Sequence, residues 1–326
     1  MVIVMGGVGG GIEKVCSVGM PALFVMLVIC IIRSCTLDGA VEGLKYMFVP
    51  GWALANGVIK EAPNFFSVVS TAGGQMFFSL SLGMAAMITY GSYLDKKENL
   101  QKNAIIIVVM DTLVALMAGL CVIPGRFALD PAGNLGGPSL LFVTMQNVFD
   151  RMGGAGPVFG ILFYLLVVFA AVSSSISLLE AVVAHFVDKA RDQGKGDKRK
   201  LYSLIGAIGA GILCVIVCLD ALGNAGISPA DILGMRVDPS DKVPTWSADW
   251  LDFFDCIAEG ILMPLGALLM SIMYGWEVGP EVVHAEATRE GQSFGAYGWF
   301  KICIKYITPL CMLLVLYGQI KEFFFV

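Results

Sequence analysis

Seven apolar stretches, each long enough to cross a bilayer, alternate along the chain with polar segments: 15–32, 65–94, 104–124, 157–187, 201–219, 253–276 and 299–320. About 20 consecutive apolar residues at 1.5 Å each span the hydrocarbon core. The pattern predicts an all-α polytopic membrane protein with about seven transmembrane helices, forming a single transmembrane domain over 1–326. The second and fourth stretches, near 30 residues each, exceed a straight crossing, and extra length implies tilt, protrusion or interruption. The second carries the means of interruption at its middle, Ser79-Leu80-Ser81-Leu82-Gly83. Two hydroxyls and a glycine at that depth predict one broken helix. Such a break is tolerated in hydrocarbon only where it faces protein or a watery cavity, and discontinuous helices of this kind form substrate and ion sites in secondary transporters.

The polar segments set an expected topology. The loop 95–103 holds Lys96, Lys97 and Lys102, and the loop 188–200 holds Lys189, Arg191, Lys195, Lys198, Arg199 and Lys200. Both are short, so the excess of basic residues assigns them to the cytoplasm. The longer loops 34–64, 125–156 and 220–252 then face outward, where 138–148 reads as a short surface helix and 231–252 as a solvated loop. Counting seven crossings puts the N terminus in the cytoplasm and the C terminus outside, in a multi-pass protein of the cell membrane. The segment 279–292, with Glu281, Glu286, Arg289 and Glu290, reads as an exposed helix.

Composition narrows the picture further. The 326 residues are 57% hydrophobic and 14% charged, with a mean hydropathy of +0.80, whereas soluble domains average about 25% charged residues. A net charge of −5 without a basic arm excludes a nucleic-acid partner; the lipid bilayer is the partner that the composition demands. The nine cysteines form neither CxxC nor Cys/His clusters and read as buried small hydrophobes in a reducing compartment. His185 and His284 lack metal-ligand or nucleophile–base spacing and read as structural. No hydrolase triad, zinc signature or P-loop is present, so the chain is not read as an enzyme and no cofactor is expected. The opening run Met1–Gly11 lacks the basic flank and cleavage site of a signal peptide and reads as the tail of an earlier helix with a flexible glycine connection.

Charges at membrane depth are costly enough to point to function. Asp111, about seven residues into the third stretch, offers with Thr112 the hard oxygens that suit Na⁺; a carboxylate paired within the protein is the alternative. The fourth stretch carries Ser173, Ser174, Ser175, Ser177 and Glu180, and positions 173, 177, 180 and 184 share one helix face, with Asp188 at its cytoplasmic end. Asp252, Asp255 and Glu259 share a face near the expected outer mouth of the sixth stretch.

At these residues the chain resembles the neurotransmitter:sodium symporter family, in its bacterial amino-acid branch with the leucine-transporter fold. The resemblance rests on Gly74-Gln-Met-Phe-Phe-Ser-Leu-Ser-Leu-Gly83 continuing to Ile88-Thr-Tyr-Gly-Ser-Tyr93, on Gly11-Ile-Glu-Lys14 before Met20-Pro21, on Phe169-Ala-Ala-Val-Ser-Ser174, and on Tyr306-Ile-Thr-Pro309. It implies that the seven stretches are helices 5–11 of that fold, with 65–278 as the second inverted repeat. It implies Na⁺ as coupling ion and a neutral, apolar or aromatic amino acid as substrate. Phe78, Ser79, Ser81, Gly83, Met84, Ser174 and Leu178 would then contact the substrate. Ser79 and Asp111 would serve one sodium, and Ala170, Ser173 and Ser174 the other; the carboxylate of Asp111 would replace a required chloride. Gln75, Phe78 and Asp255 would form the outer gate, and Ser92, Tyr93 and Asp188 the inner one. The family's first four helices have no counterpart here, which implies a truncated or split symporter completed by a separate chain. A non-transporting fragment or scaffold is the alternative, and a seven-helix receptor or sensor fits less well because it offers no reason for the break.

Overall fold

Six of the seven apolar stretches fold as helices that run one to five residues past the expected ends, because the flanking polar residues continue the backbone ladder beyond the hydrocarbon-length core. The computed structural model describes residues 1–6, 12–132, 137–196, 198–236 and 242–325, the side chain of Val15 excepted. The glycine run beyond Gly6, including Gly11 of the first short motif, lies outside the described residues. The main helices are α1 (Glu13–Cys35), α2 (Ala40–Phe48), α3 (Phe65–Ser79), α4 (Ala86–Ser92), α5 (Leu100–Leu129), α6 (Met145–Arg151), α7 (Gly156–Asp192), α8 (Arg199–Asp220), α9 (Trp250–Glu277), α10 (Pro280–Ala287) and α11 (Tyr297–Phe324). Six of them, α1, α5, α7, α8, α9 and α11, are long and apolar enough to cross a membrane. The remaining apolar stretch, the second, is divided into α3 and α4.

Of the two over-long stretches, only one is interrupted. α7 continues unbroken for 37 residues, whereas the other stops at Ser79 and resumes at Ala86. Between them Ser81, Gly83 and Ala85 have φ of +54°, +74° and +63°, the left-handed region that only glycine enters without steric cost. At Gly83 an added Cβ would also overlap the backbone of Met263.

Contacts group the chain into two compact units, Met1–Ala62 with Val109–Leu178, and Pro63–Val108 with Leu179–Val326. In the first, Leu27, Cys30, Cys121, Met145, Val148, Phe149 and Phe163 form the core. Pro124 lies inside α5 and has no N–H to give the Leu120 carbonyl; that carbonyl instead receives the Cys35 thiol at 3.9 Å. One residue on, the Gly125 N–H donates to Ser34 Oγ at 2.8 Å. A Cβ on Gly43 would come within 2.6 Å of Pro124 Cα, so α2 crosses α5 almost backbone to backbone. Ser34→Ala removes this buried hydrogen bond, and the expected cost is about 0.5–1.5 kcal/mol, read as a lower melting temperature of the purified chain in detergent.

In the second unit α3, α9 and α11 pack around Phe77, Met263 and Val315. Small residues bring the helices close: Gly73 faces Val315, Gly74 faces Gln319, and Gly318 faces Ser70. The Ser70 hydroxyl donates to the Val315 carbonyl at 3.4 Å, and Gln319 Nε2 donates to the Ser70 carbonyl at 3.4 Å. Without water, such cross-helix hydrogen bonds and close packing replace the hydrophobic effect between helices.

Candidate functional site

The break organises one set of candidate residues. Gln75, Phe78 and Ser79, spaced i, i+3, i+4, are exposed on one face of α3. Ser70, Gly74 and Phe77 fill the opposite, buried face. The helix unwinds through tight turns, with the Leu82 N–H donating to the Phe77 carbonyl at 2.8 Å and the Ser81 N–H to the Phe78 carbonyl at 3.2 Å. A helix C terminus in mid-span presents the negative end of its dipole and carbonyls turned out of the ladder, which are ligands for a hard cation or an ammonium group. Ser81, Gly83 and Met84 lie in the unwound stretch and are half-buried.

At the far end of the same segment the Tyr93 hydroxyl donates to Glu180 Oε1 at 2.7 Å, and the Arg199 guanidinium pairs with the other Glu180 oxygen. Glu180 is fully buried and the Arg199 side chain is 18% exposed, so the carboxylate receives both of its partners out of water. Ser92 turns its hydroxyl back to the Thr89 carbonyl at 2.6 Å. Asp188, two turns along α7 from Glu180, is exposed. Sequence reasoning placed Glu180 only in a polar stripe and Arg199 only in a basic loop. The signal available was a carboxylate at membrane depth, which needs a cation, with Arg199 at the first position of the next helix.

The acidic face of α9 is also in place. Asp255 and Glu259 are both half-buried and stand four residues apart, at the start of a π-helical turn that runs Cys256–Leu262. Single π turns inside α-helices are frequent at functional sites because they redirect side chains by the width of an extra residue. Among the described residues no group of three or more His, Cys, Asp or Glu side chains is placed to hold a metal ion.

The other candidate residues belong to the first unit. Ala170, Ser173, Ser174 and Leu178 follow one another on α7, with the Ser173 hydroxyl donating to the Ala170 carbonyl at 2.8 Å. Ser175 and Ser177 bond back to the Val172 and Ser173 carbonyls at 2.9 and 3.2 Å. This back-bonding uses each serine proton inside the helix and leaves oxygen lone pairs to accept. Asp111 stands eleven residues after the first residue of α5, about 17 Å along its axis at 1.5 Å per residue.

Comparison with known proteins completes the description. A family model described as the sodium:neurotransmitter symporter family matches residues 1–234. An uncharacterized sodium-dependent transporter, YhdH, of Bacillus subtilis (strain 168) is 33% identical over 97% of this chain and 63% of its own length. A second uncharacterized sodium-dependent transporter, from Haemophilus influenzae, is 31% identical over 96% of this chain and 62% of its own. The crystal structure of MhsT in complex with L-phenylalanine superposes with a TM-score of 0.76 at 32% identity, covering 98% of this chain and 65% of that one. The chain therefore spans a little under two thirds of the length of these relatives, which are transporters rather than enzymes.

Proposed function

Because the chain belongs to the sodium:neurotransmitter symporter family, we propose that it supplies the greater part of a Na⁺-coupled symporter for a neutral, apolar or aromatic amino acid. The observation that carries this reading is the break between α3 and α4, where a long apolar segment unwinds around Ser81 and Gly83. Sodium is a hard ion that takes oxygen ligands. Ser79 and Asp111 serve one ion, and the Ala170 carbonyl with Ser173 and Ser174 serves the other. Ser79, Ser81 and the backbone at Gly83 receive the substrate ammonium group; Met84 and Leu178 line its side chain, with Phe78 as lid and Ser174 beside it. The phenylalanine bound to MhsT supports an apolar or aromatic side chain.

Gln75, Phe78 and Asp255 close the outer side. Ser92, Tyr93 and Asp188 close the inner side, together with Glu180 and Arg199, whose pairing with Tyr93 ties α4 to the basic-loop end of α7 and α8. Residues 65–278 form the second inverted repeat, the N terminus lies in the cytoplasm, and the protein resides in the cell membrane. A first repeat must be supplied by residues outside this chain, on a longer or a separate polypeptide, for one repeat to rock against the other. Because the chain spans under two thirds of its relatives, a non-transporting fragment or scaffold is the competing reading.

Uptake of labelled phenylalanine, leucine, lysine and glutamate into proteoliposomes tests this, using this chain together with the four preceding helices that the family resemblance implies. An inward Na⁺ gradient is expected to drive uptake of the first two, equally in chloride and in gluconate. Uptake indifferent to Na⁺ refutes the symporter reading, and uptake that requires chloride refutes the role given to Asp111. In the same assay Asp111→Ala is expected to raise the Na⁺ concentration for half-maximal uptake by about tenfold or more, since losing one charged ligand costs at least about 1.4 kcal/mol of ion binding.

A further inference from the structure

A sulfur-lined void lies in the first unit, in the core that packs α1, α5 and α6. The Cys30 and Cys121 side chains line the same void and belong to one buried cluster. Both thiols are free, and they are 6% and 3% exposed. Met145, 2% exposed, and Met152 line the same void, so that four sulfur-bearing residues from α1, α5 and the two ends of α6 surround it. Its volume is about 10 Å³, enough for about one water-sized atom. Arg33 lines it as well, and its buried Nε has no hydrogen-bond partner among the described residues. Cys35 is not part of the set, since its thiol is turned to the Leu120 carbonyl.

The remaining wall is mostly apolar, with Gly125, Val148, Phe149, Phe159 and Phe163, and the Ser34 hydroxyl that also lines it already accepts from the Gly125 N–H, so the wall offers a hard cation little beyond that engaged oxygen. Zinc in structural sites takes four nitrogen, thiolate or carboxylate ligands, and among the described residues no third His, Cys, Asp or Glu joins the pair. Thiolates assisted by thioethers select soft d¹⁰ cations, above all Cu(I). We propose that Cys30 and Cys121, with Met145 and Met152 beside them, form a buried site for a soft monovalent cation, Cu(I) or its surrogate Ag(I). Binding is a ligand exchange without oxidation: two S–H bonds break, two metal–sulfur bonds form, and two protons leave to solvent. The product, a dithiolate carrying one negative charge, is balanced by the Arg33 guanidinium, which gains a partner for its buried Nε. The proposal is independent of the symport reading, because it needs only the core of the first unit.

The test is Cu(I) titration of the purified, reduced chain in detergent against a chromogenic Cu(I) chelator, with X-ray absorption of the loaded protein. The expected result is one tightly held Cu(I) per chain, two protons released, a shell of sulfur alone, and a higher melting temperature when loaded. Cys30→Ser and Cys121→Ser are each expected to weaken binding at least about a hundredfold. Met145→Leu, which preserves core volume, is expected to weaken it about tenfold, and keeps the test decisive if a serine variant does not fold. Affinity equal in all these variants, nitrogen or oxygen in the shell, or conversion of the pair to a disulfide without retained copper overturns the proposal.

Discussion

Gly83→Val is expected to reduce the yield of folded protein more than any other single change at the break, with a stability loss of about 2–6 kcal/mol. Two costs add. A β-branched residue held at φ +74° is worth about 1–3 kcal/mol of backbone strain, and the new methyl groups meet the Met263 backbone, against which even one added carbon overlaps. Backbone cannot swing aside as a side-chain tip can, so overpacking contributes about 1–3 kcal/mol more. Gly266 approaches the same break from the other side, where a Cβ would lie 2.9 Å from the Gly83 carbonyl. Thermal unfolding of purified Gly83→Ala and Gly83→Val should therefore fall in that order below the parent. A Gly83→Val chain that melts with the parent would show that the break relaxes, and the close approach to α9 would lose its explanatory role.

Arg199→Ala is expected to cost about 3–5 kcal/mol, because it leaves the fully buried Glu180 carboxylate without its cation. Glu180→Ala should cost less, since the Arg199 side chain is 18% exposed and can turn its charge toward solvent. Tyr93→Phe removes one hydrogen bond of 2.7 Å to a charged acceptor, and about 1.5–3 kcal/mol is expected. Melting temperatures of the three variants and of the Glu180→Ala/Arg199→Ala pair form a double-mutant cycle. A double variant more stable than Arg199→Ala alone is the signature of an uncompensated charge; strictly additive losses would mean the two groups act independently.

The helices were legible in the sequence to within a few residues, because membrane-spanning helices answer to one dominant constraint. Each must hold about 20 apolar residues and satisfy its own backbone, so hydropathy alone reports them. The break was legible for the same reason, as Ser79, Ser81 and Gly83 contradict the uniform pattern around them. The length of the other long stretch was equally visible, but length does not distinguish a tilted or protruding helix from an interrupted one, and α7 runs through without interruption.

Side-chain partnerships were much less legible. Tyr93, Glu180 and Arg199 stand on three different elements, and only their packing turns the Tyr93 hydroxyl to Glu180. The convergence of Cys30, Cys121, Met145 and Met152 on one void was likewise absent from any local spacing, and each residue alone reads as ordinary core. The same holds for the π turns of α9 and α11, whose extra residue per turn leaves no mark on hydropathy.

What the sequence determined by itself is therefore the class of protein, the number and rough extent of its apolar segments, the place where one of them breaks, and the motifs of its family. These follow from the solvent, since hydrocarbon imposes one rule along the whole chain. The tertiary structure decided which polar groups answer one another: the buried carboxylate at Glu180 with its arginine, the Ser34 hydroxyl on the Gly125 amide, and the glycines that let backbones touch. Those depend on distances of a few tenths of an ångström between segments far apart in the chain, and only packing sets such distances.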